Sequence, residues 1–175
     1  MSNPPLTPPI VVDTVIEKII AHVQTTLEGM ANVGVVLDAL AEDETAIETQ
    51  LAAGKDAIEW ELGDDVTWAE GEADGLEARR VALAMVIHLG TKPQSGTGKA
   101  ETWTMLARRR GAEIECLFAG EDAGSLGGHA VMTNRVTQTG VGHRAGRRAF
   151  AMEFKIFYRH AVGDPTQSVP AGGGD

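Results

Sequence analysis

Val12, Val15, Ile16, Ile19, Ile20, Val23 and Leu27 recur at helical spacing and make one apolar stripe. Thr14-Val-Ile-Glu17 has the capping-box spacing, in which a glutamate reaches back to the first free amides. Gly29 is a natural stop. The pattern predicts a helix that begins near Asp13 or Thr14 and ends at Gly29. Val33-Gly-Val-Val-Leu37 then reads as a short buried strand. Residues 41–55 are acidic and alanine-rich. Ile47 and Leu51, at i and i+4, fit a short helix, and a loop fits equally well. Ala57-Ile-Glu-Trp-Glu-Leu62 alternates as a half-buried strand does. Gly63-Asp-Asp65 breaks it, and residues 70–75 read as a polar loop. From Leu76 the chain climbs into Arg80-Val-Ala-Leu-Ala-Met-Val-Ile-His88, the expected central strand.

Residues 92–98 form the next loop, and a second helix is expected from about Lys99 to Phe118. Trp103, Leu106, Arg110, Ile114 and Leu117 hold its inward spacing, with Arg108 and Arg109 nearer the outer face. Gly111 weakens this helix by about 1 kcal/mol relative to Ala. After a flexible stretch at 120–128, residues 129–139 are rich in Thr and Val, and 140–146 are turn material. Arg148 to His160 alternates. Phe150, Met152, Phe154, Ile156 and Tyr158 share one face, while Glu153, Lys155 and Arg159 share the other. The order is α–β–β–β–α–β–β. It predicts an α+β fold: a mixed, mainly antiparallel sheet of about four or five strands, with two main helices packed on one face. A single domain at 11–162 is expected, between an extended proline-rich arm at 1–10 and a disordered tail at 163–175.

Charge narrows the choice of function. Asp and Glu number 25 against 15 Lys and Arg, for a formal net charge of −10. That sign opposes binding of the protein as a whole to a nucleic-acid backbone, which requires cations to displace counterions. It leaves room for DNA to pass nearby without adhering. Cys116 is the single cysteine, so neither an internal disulfide nor a cysteine metal site is expected. This fits folding in a reducing cytoplasm. No run approaches the roughly 18 apolar residues of a membrane span, and the N-terminus lacks the basic and apolar regions of a signal peptide. No membrane partner is expected.

The candidate chemistry is thin. Met85–Gly90, Ser95-Gly-Thr-Gly-Lys99 and the following helix have the strand–loop–helix setting of a phosphate-binding loop. However, the first motif glycine falls at Pro93, which has no amide hydrogen, and the magnesium-binding hydroxyl falls at Ala100. The segment reads as a Gly/Ser loop before a helix, with a nucleotide-binding domain as the alternative. His22, His88, His129, His143 and His160 show no metal-ligand spacing. Glu42, Asp43, Glu44, Asp64, Asp65, Glu70, Glu72 and Asp74 sit in polar runs and read as a solvated acidic face, not as a catalytic pair. No nucleophile motif appears. No catalytic, cofactor-binding or metal-ligating residues are assigned, and no cofactor is expected. The basic residues Arg79, Arg80, Arg108, Arg109, Arg110, Arg144, Arg147 and Arg148 stand out in an acidic chain. They read either as ordinary surface charge or as contacts to an acidic neighbour, including another copy of the chain. Arg79, Arg80, Arg108, Arg109, Arg144, Arg147 and Arg148 are the candidate contacts.

The helix at Val15–Ile20, the strand at Val33–Leu37, the strands Ile58–Leu62 and Val81–His88, the helix around Trp103–Leu117 and the closing pair that ends Phe154-Lys-Ile-Phe-Tyr-Arg159 follow one another in a recognisable order. The chain resembles the tail terminator (tail completion) proteins of tailed bacteriophages and related particles over about residues 12–162. The likeness is one of element order and rhythm. It departs at 41–55, which look like an insert, and at Gly54-Lys-Asp56, which stand where the family has a proline-rich lead into the second strand. The resemblance implies a structural protein of the virion, assembled in the host cytoplasm and not an enzyme. It would form a homohexameric ring that caps the head-proximal end of the tail tube, stops its polymerisation and joins tail to neck. Its partners would be itself, the tail tube protein, a neck or connector protein and, in contractile tails, the sheath. DNA would pass through the lumen without specific binding. Six copies would carry roughly −60. Another head–tail connector component is the alternative within this class.

Overall fold

A computed structural model describes residues 13–69, 75–95, 101–118 and 126–169. The arm at 1–10, Val12 of the apolar stripe, residues 70–74, residues 96–100, residues 119–125 and residues 170–175 lie outside the described residues.

The first helix, α1, spans Val15–Glu28 and begins as its pattern dictates. The Thr14 hydroxyl accepts a hydrogen bond from the Glu17 amide at 3.4 Å, and the Glu17 carboxylate accepts from the Thr14 amide at 2.7 Å. That amide, with the hydroxyl behind it, holds the Glu17 carboxyl below its ordinary value. Val15, Ile19, Val23 and Leu27 form the buried stripe. A tight turn leads into β1 (Val33–Asp38), which pairs with β2 (Asp56–Thr67) in parallel. Parallel neighbours need a crossover of a dozen or more residues. Residues 39–55 supply it, with a 3-10 turn at Ala39–Ala41 and a helix, α2, at Glu44–Ala52. The stretch expected to be an insert is therefore the crossover that allows β1 to lie beside β2.

β3 (Leu76–His88) runs antiparallel to β2, and Gly63-Asp-Asp65 does not end β2 but forms a bulge between Leu62 and Asp65. β3 pairs with β6 (Arg147–Ala161) without a register shift, from Leu76 opposite Ala161 to His88 opposite Ala149. Between them in sequence comes α3 (Trp103–Phe118), which starts later than expected; the Thr102 hydroxyl accepts from the Met105 amide at 3.2 Å. The far edge of β6 is shared by β5 (Gly142–Arg144), β4 (Met132–Gln138) and β7 (Asp164–Ser168). The main order is β1-β2-β3-β6-β4.

The fold class is α+β as expected, with a mixed sheet, but two details differ. The described sheet has seven strands instead of four or five. The chain after Gly163 was expected to be disordered, yet β7 forms there, because Gly163 takes the left-handed turn (φ +79°) that folds it back on β6. Lys18 Nζ then donates to the Thr166 carbonyl at 2.6 Å, tying β7 to α1. The two main helices, α1 and α3, share one face as expected, and α2 lies on the other. Phe150, Met152, Phe154, Ile156 and Tyr158 of β6 join Val81, Leu83, Met85 and Ile87 of β3 in the core beneath α1 and α3. Phe118 of α3 meets Phe154 edge-on at 5.6 Å. Arg147, on the opposite parity, pairs with Glu44 and Glu48 of α2, and Gln50 of α2 lies against Gly34. α2 thus covers one corner of the second face. The rest of that face carries no helix among the described residues.

Candidate functional site on the uncovered sheet face

The lower end of the sheet is fixed by a buried carboxylate. Asp56, at the start of β2, is 0 % exposed. It accepts from the Gly90 amide at 3.1 Å, the Thr91 amide at 2.9 Å, Asn32 Nδ2 at 3.0 Å and Arg110 Nε at 2.9 Å. Arg110 also reaches Glu113 at 2.7 Å. A buried charge of this kind persists only when paired and fully hydrogen-bonded. The network holds the exit of β3, the approach to β1 and the middle of α3 in one geometry. Arg110 is inward, as its spacing predicts, and is buried because Asp56 meets it.

Above this node the uncovered face forms a shallow trough of about 320 Å³ across β2, β3 and β6. Ala84, Val86 and Ala151 make its floor, Glu59, Glu61 and Glu153 bring carboxylates, and Arg144 of β5 stands at its side. Glu59 Oε2 lies 2.6 Å from His88 Nε2. His88 is buried, and its Nδ1 has no hydrogen-bond partner among the described residues. Higher on the same face, Trp68 packs edge-on against Phe157 at 4.8 Å, and the Arg159 guanidinium lies 5.8 Å from the Trp68 ring. The trough thus has small floor residues and charges of both signs along its sides. Among the described residues no group of three or more His, Cys, Asp or Glu is placed to hold a metal ion.

The structure separates the candidate arginines. Arg79 is held by Asp65 at 3.2 Å and Glu77 at 3.1 Å. Asp65 also accepts from Tyr158 Oη at 2.6 Å. Burial, and then this bond, push the Tyr158 phenol well above its usual range. Arg109 pairs with Glu101 and Glu113, and Arg147 with Glu44 and Glu48. Arg148 stacks over Trp103 at 4.5 Å, on the face opposite Arg147. Arg80, Arg108 and Arg144 show no ion pair among the described residues. Arg80 lies opposite Phe157 on the uncovered face, Arg144 beside the trough, and Arg108 on the outside of α3. The arginines therefore form no single patch. Four of the seven are engaged within the chain, three by carboxylates and one by an aromatic ring.

Of the glycine-rich turn, only Ser95 is described. Beside it, the Gln94 amide donates to Glu101 at 2.9 Å, and this amide, ahead of Arg109, keeps the Glu101 carboxyl below its usual value. Two features escaped the sequence reading. Asp56 looks like any polar residue after Gly54-Lys55, since its partners lie 24 to 54 positions away. Leu40 is 82 % exposed at the end of β1; a lone leucine in an acidic run was the available signal. No helix among the described residues is long and apolar enough to cross a membrane. No family model matches the sequence, and no curated protein sequence matches it.

Proposed function

We propose that the chain is a structural assembly protein of a phage or phage-like particle. Copies form a ring that caps the head-proximal end of the tail tube, ends its growth and joins it to the neck. One observation carries the reading. The order α–β–β–β–α–β–β, on which the resemblance rests, is the order of the elements in the folded chain, built into one sheet with α2, β5 and β7 added. Surface features support it. The uncovered trough and the outer edges of β1 and β4, which pair with no further strand among the described residues, offer places for neighbours. A net charge of −10 per copy suits a ring through which DNA slides without adhesion.

The test is tube growth. Purified chain is added to polymerising tail tube protein from the same particle, and tube lengths are measured by negative-stain electron microscopy. The reading expects short tubes with a ring at one end. Tubes of unchanged length with bare ends would overturn it. Rings bound to the head portal and not to tubes would move the chain to the connector instead.

A further inference from the structure

The uncovered face of the sheet has two unlike halves. Toward Trp68, one row across the strands holds Val66 of β2, Arg80 of β3, Phe157 of β6 and Met132 of β4. Trp68 packs against Phe157, and Val66 and Met132 are each a little over a third exposed. Two rows on, Glu61, Ala84 and Glu153 stand side by side, so a small residue separates two carboxylates. These three belong to the trough, whose floor continues over Val86 and Ala151. Arg144 is the one cation lining it, against Glu59, Glu61 and Glu153. Between the two halves the face is low. Ala82 lies there with Gly63, where an added Cβ would come within 3.2 Å of the Ala82 methyl, and Lys155 is the neighbour of Ala82 on β6.

Arg80, Glu61 and Glu153 make no ion pair among the described residues. Within the chain the cation and the acids stay apart, since Arg80 and Ala84 are separated by about 13 Å along β3. A second copy brings them together. Half a turn about an axis that lies between two such faces and crosses the strands at Ala82 sets Arg80 of one copy over Ala84 of the other, between Glu61 and Glu153. The same turn carries the Trp68–Phe157 pair over the trough, a hollow of about 320 Å³ with a small-residue floor. By symmetry each match is made twice. Lys155 stands beside the axis and faces its own copy, with Glu153 of that copy one row away to take its charge.

We propose that two copies of this chain pair face to face through the uncovered sheet surface, Arg80 of each seated between Glu61 and Glu153 of the other. Both halves of the match lie on one face of one chain, which is what an isologous contact requires. Opposed charge then fixes the register of the two sheets. The size agrees as well. From Glu59 to Trp68 the face runs about 30 Å along the strands, and across β2, β3, β6 and β4 it is about 19 Å wide. A pair would bury about 1,200 Å² in total, the lower end of the range for specific interfaces. An isologous contact stops at two copies, whereas a ring needs a heterologous one. The pairing therefore goes beyond the ring reading and is a separate contact.

The experiment uses the whole chain in sedimentation equilibrium. Arg80→Glu reverses the cation, and a second chain carrying Glu61→Lys with Glu153→Lys reverses the acids. All three side chains lie on the open face, and unchanged melting curves will show that both chains fold. Arg80→Gln, which only removes the charge, should weaken pairing in the same direction. Wild type should pair, and each charge-reversed chain alone should pair at least about tenfold more weakly. An equimolar mixture of the two should recover a dimer close to wild type in strength. There the introduced glutamate meets the introduced lysines, and the unaltered Arg80 meets the unaltered Glu61 and Glu153. Raised salt should weaken the wild-type contact. Wild type that stays monomeric, a reversed chain that pairs like wild type, or a mixture that pairs no better than its components would each overturn the pairing. Rings that ignore these substitutions would refute this face as a contact and leave the assembly role standing. A dimer that passes every arm but has no effect on tube growth would do the reverse.

Discussion

Asp56 joins three separated stretches of chain through one carboxylate, and its substitution tests how much of the fold passes through that point. Asp56→Ala leaves the buried Nε of Arg110 without its acceptor, with Glu113 as the remaining carboxylate, and leaves two amides without an acceptor. It should cost about 3–5 kcal/mol in urea denaturation, the usual loss when one member of a buried pair is removed. Arg110→Met, which keeps volume and leaves the carboxylate three of its donors, should cost less. Equal losses would mean that the ion pair itself, and not the amide contacts, holds the site. His129 offers a test by pH. Burial, then the charges of Lys18 and His22, lower its pKa in the folded protein, while the ring lies 3.2 Å from Ser168 Oγ. The unfolded chain therefore binds the proton more readily, and stability falls as pH drops through about 6.5. His129→Gln should flatten the loss of thermal stability between pH 7 and pH 5. An unchanged slope would place the proton uptake elsewhere.

At the scale of elements, Gly111 separates intrinsic preference from packing. An alanine in a helix interior is favoured over glycine by about 1 kcal/mol. In α3, however, a Cβ at this position would run into the Gln138 carboxamide, whose Nε2 donates to the Ala107 carbonyl at 3.1 Å. Gly111→Ala alone should lose about 1 kcal/mol or more through overpacking. In a Gln138→Ala background the same change should become stabilising, and a double-mutant cycle by thermal denaturation reads the reversal. α1 behaves more locally. Its capping box at Thr14 and Glu17 is formed within four residues, so Thr14→Ala should cost about 1 kcal/mol whatever the rest of the molecule does. Loss of far more than this would show that Thr14 also serves a tertiary contact.

For the molecule as a whole, β7 shows that a polar segment can be structural. Deleting residues 164–175 removes its pairing with β6, the Lys18–Thr166 bond and the His129–Ser168 contact. At about 0.5–1.5 kcal/mol per hydrogen bond, the loss should reach about 1–3 kcal/mol, and the Tm should fall by several degrees. A truncated chain as stable as the full one would reduce β7 to a passenger. The amino-acid sequence alone determined the elements whose side-chain period matches their own geometry. The stripe Val15, Ile19, Val23, Leu27 is a helix face, and the alternation from Phe150 to Tyr158 is a strand with one face in the core. Arg110 could likewise be read as inward-facing. The tertiary structure alone decided that 39–55 is a crossover with α2 on the second face, that β1 lies parallel to β2, that Asp56 is Arg110's partner and that Leu40 is left in solvent. Spacing along the chain records which side of an element is apolar. It does not record which distant backbone will pair with that element, and every feature of the second group depends on groups brought together from far apart in the chain.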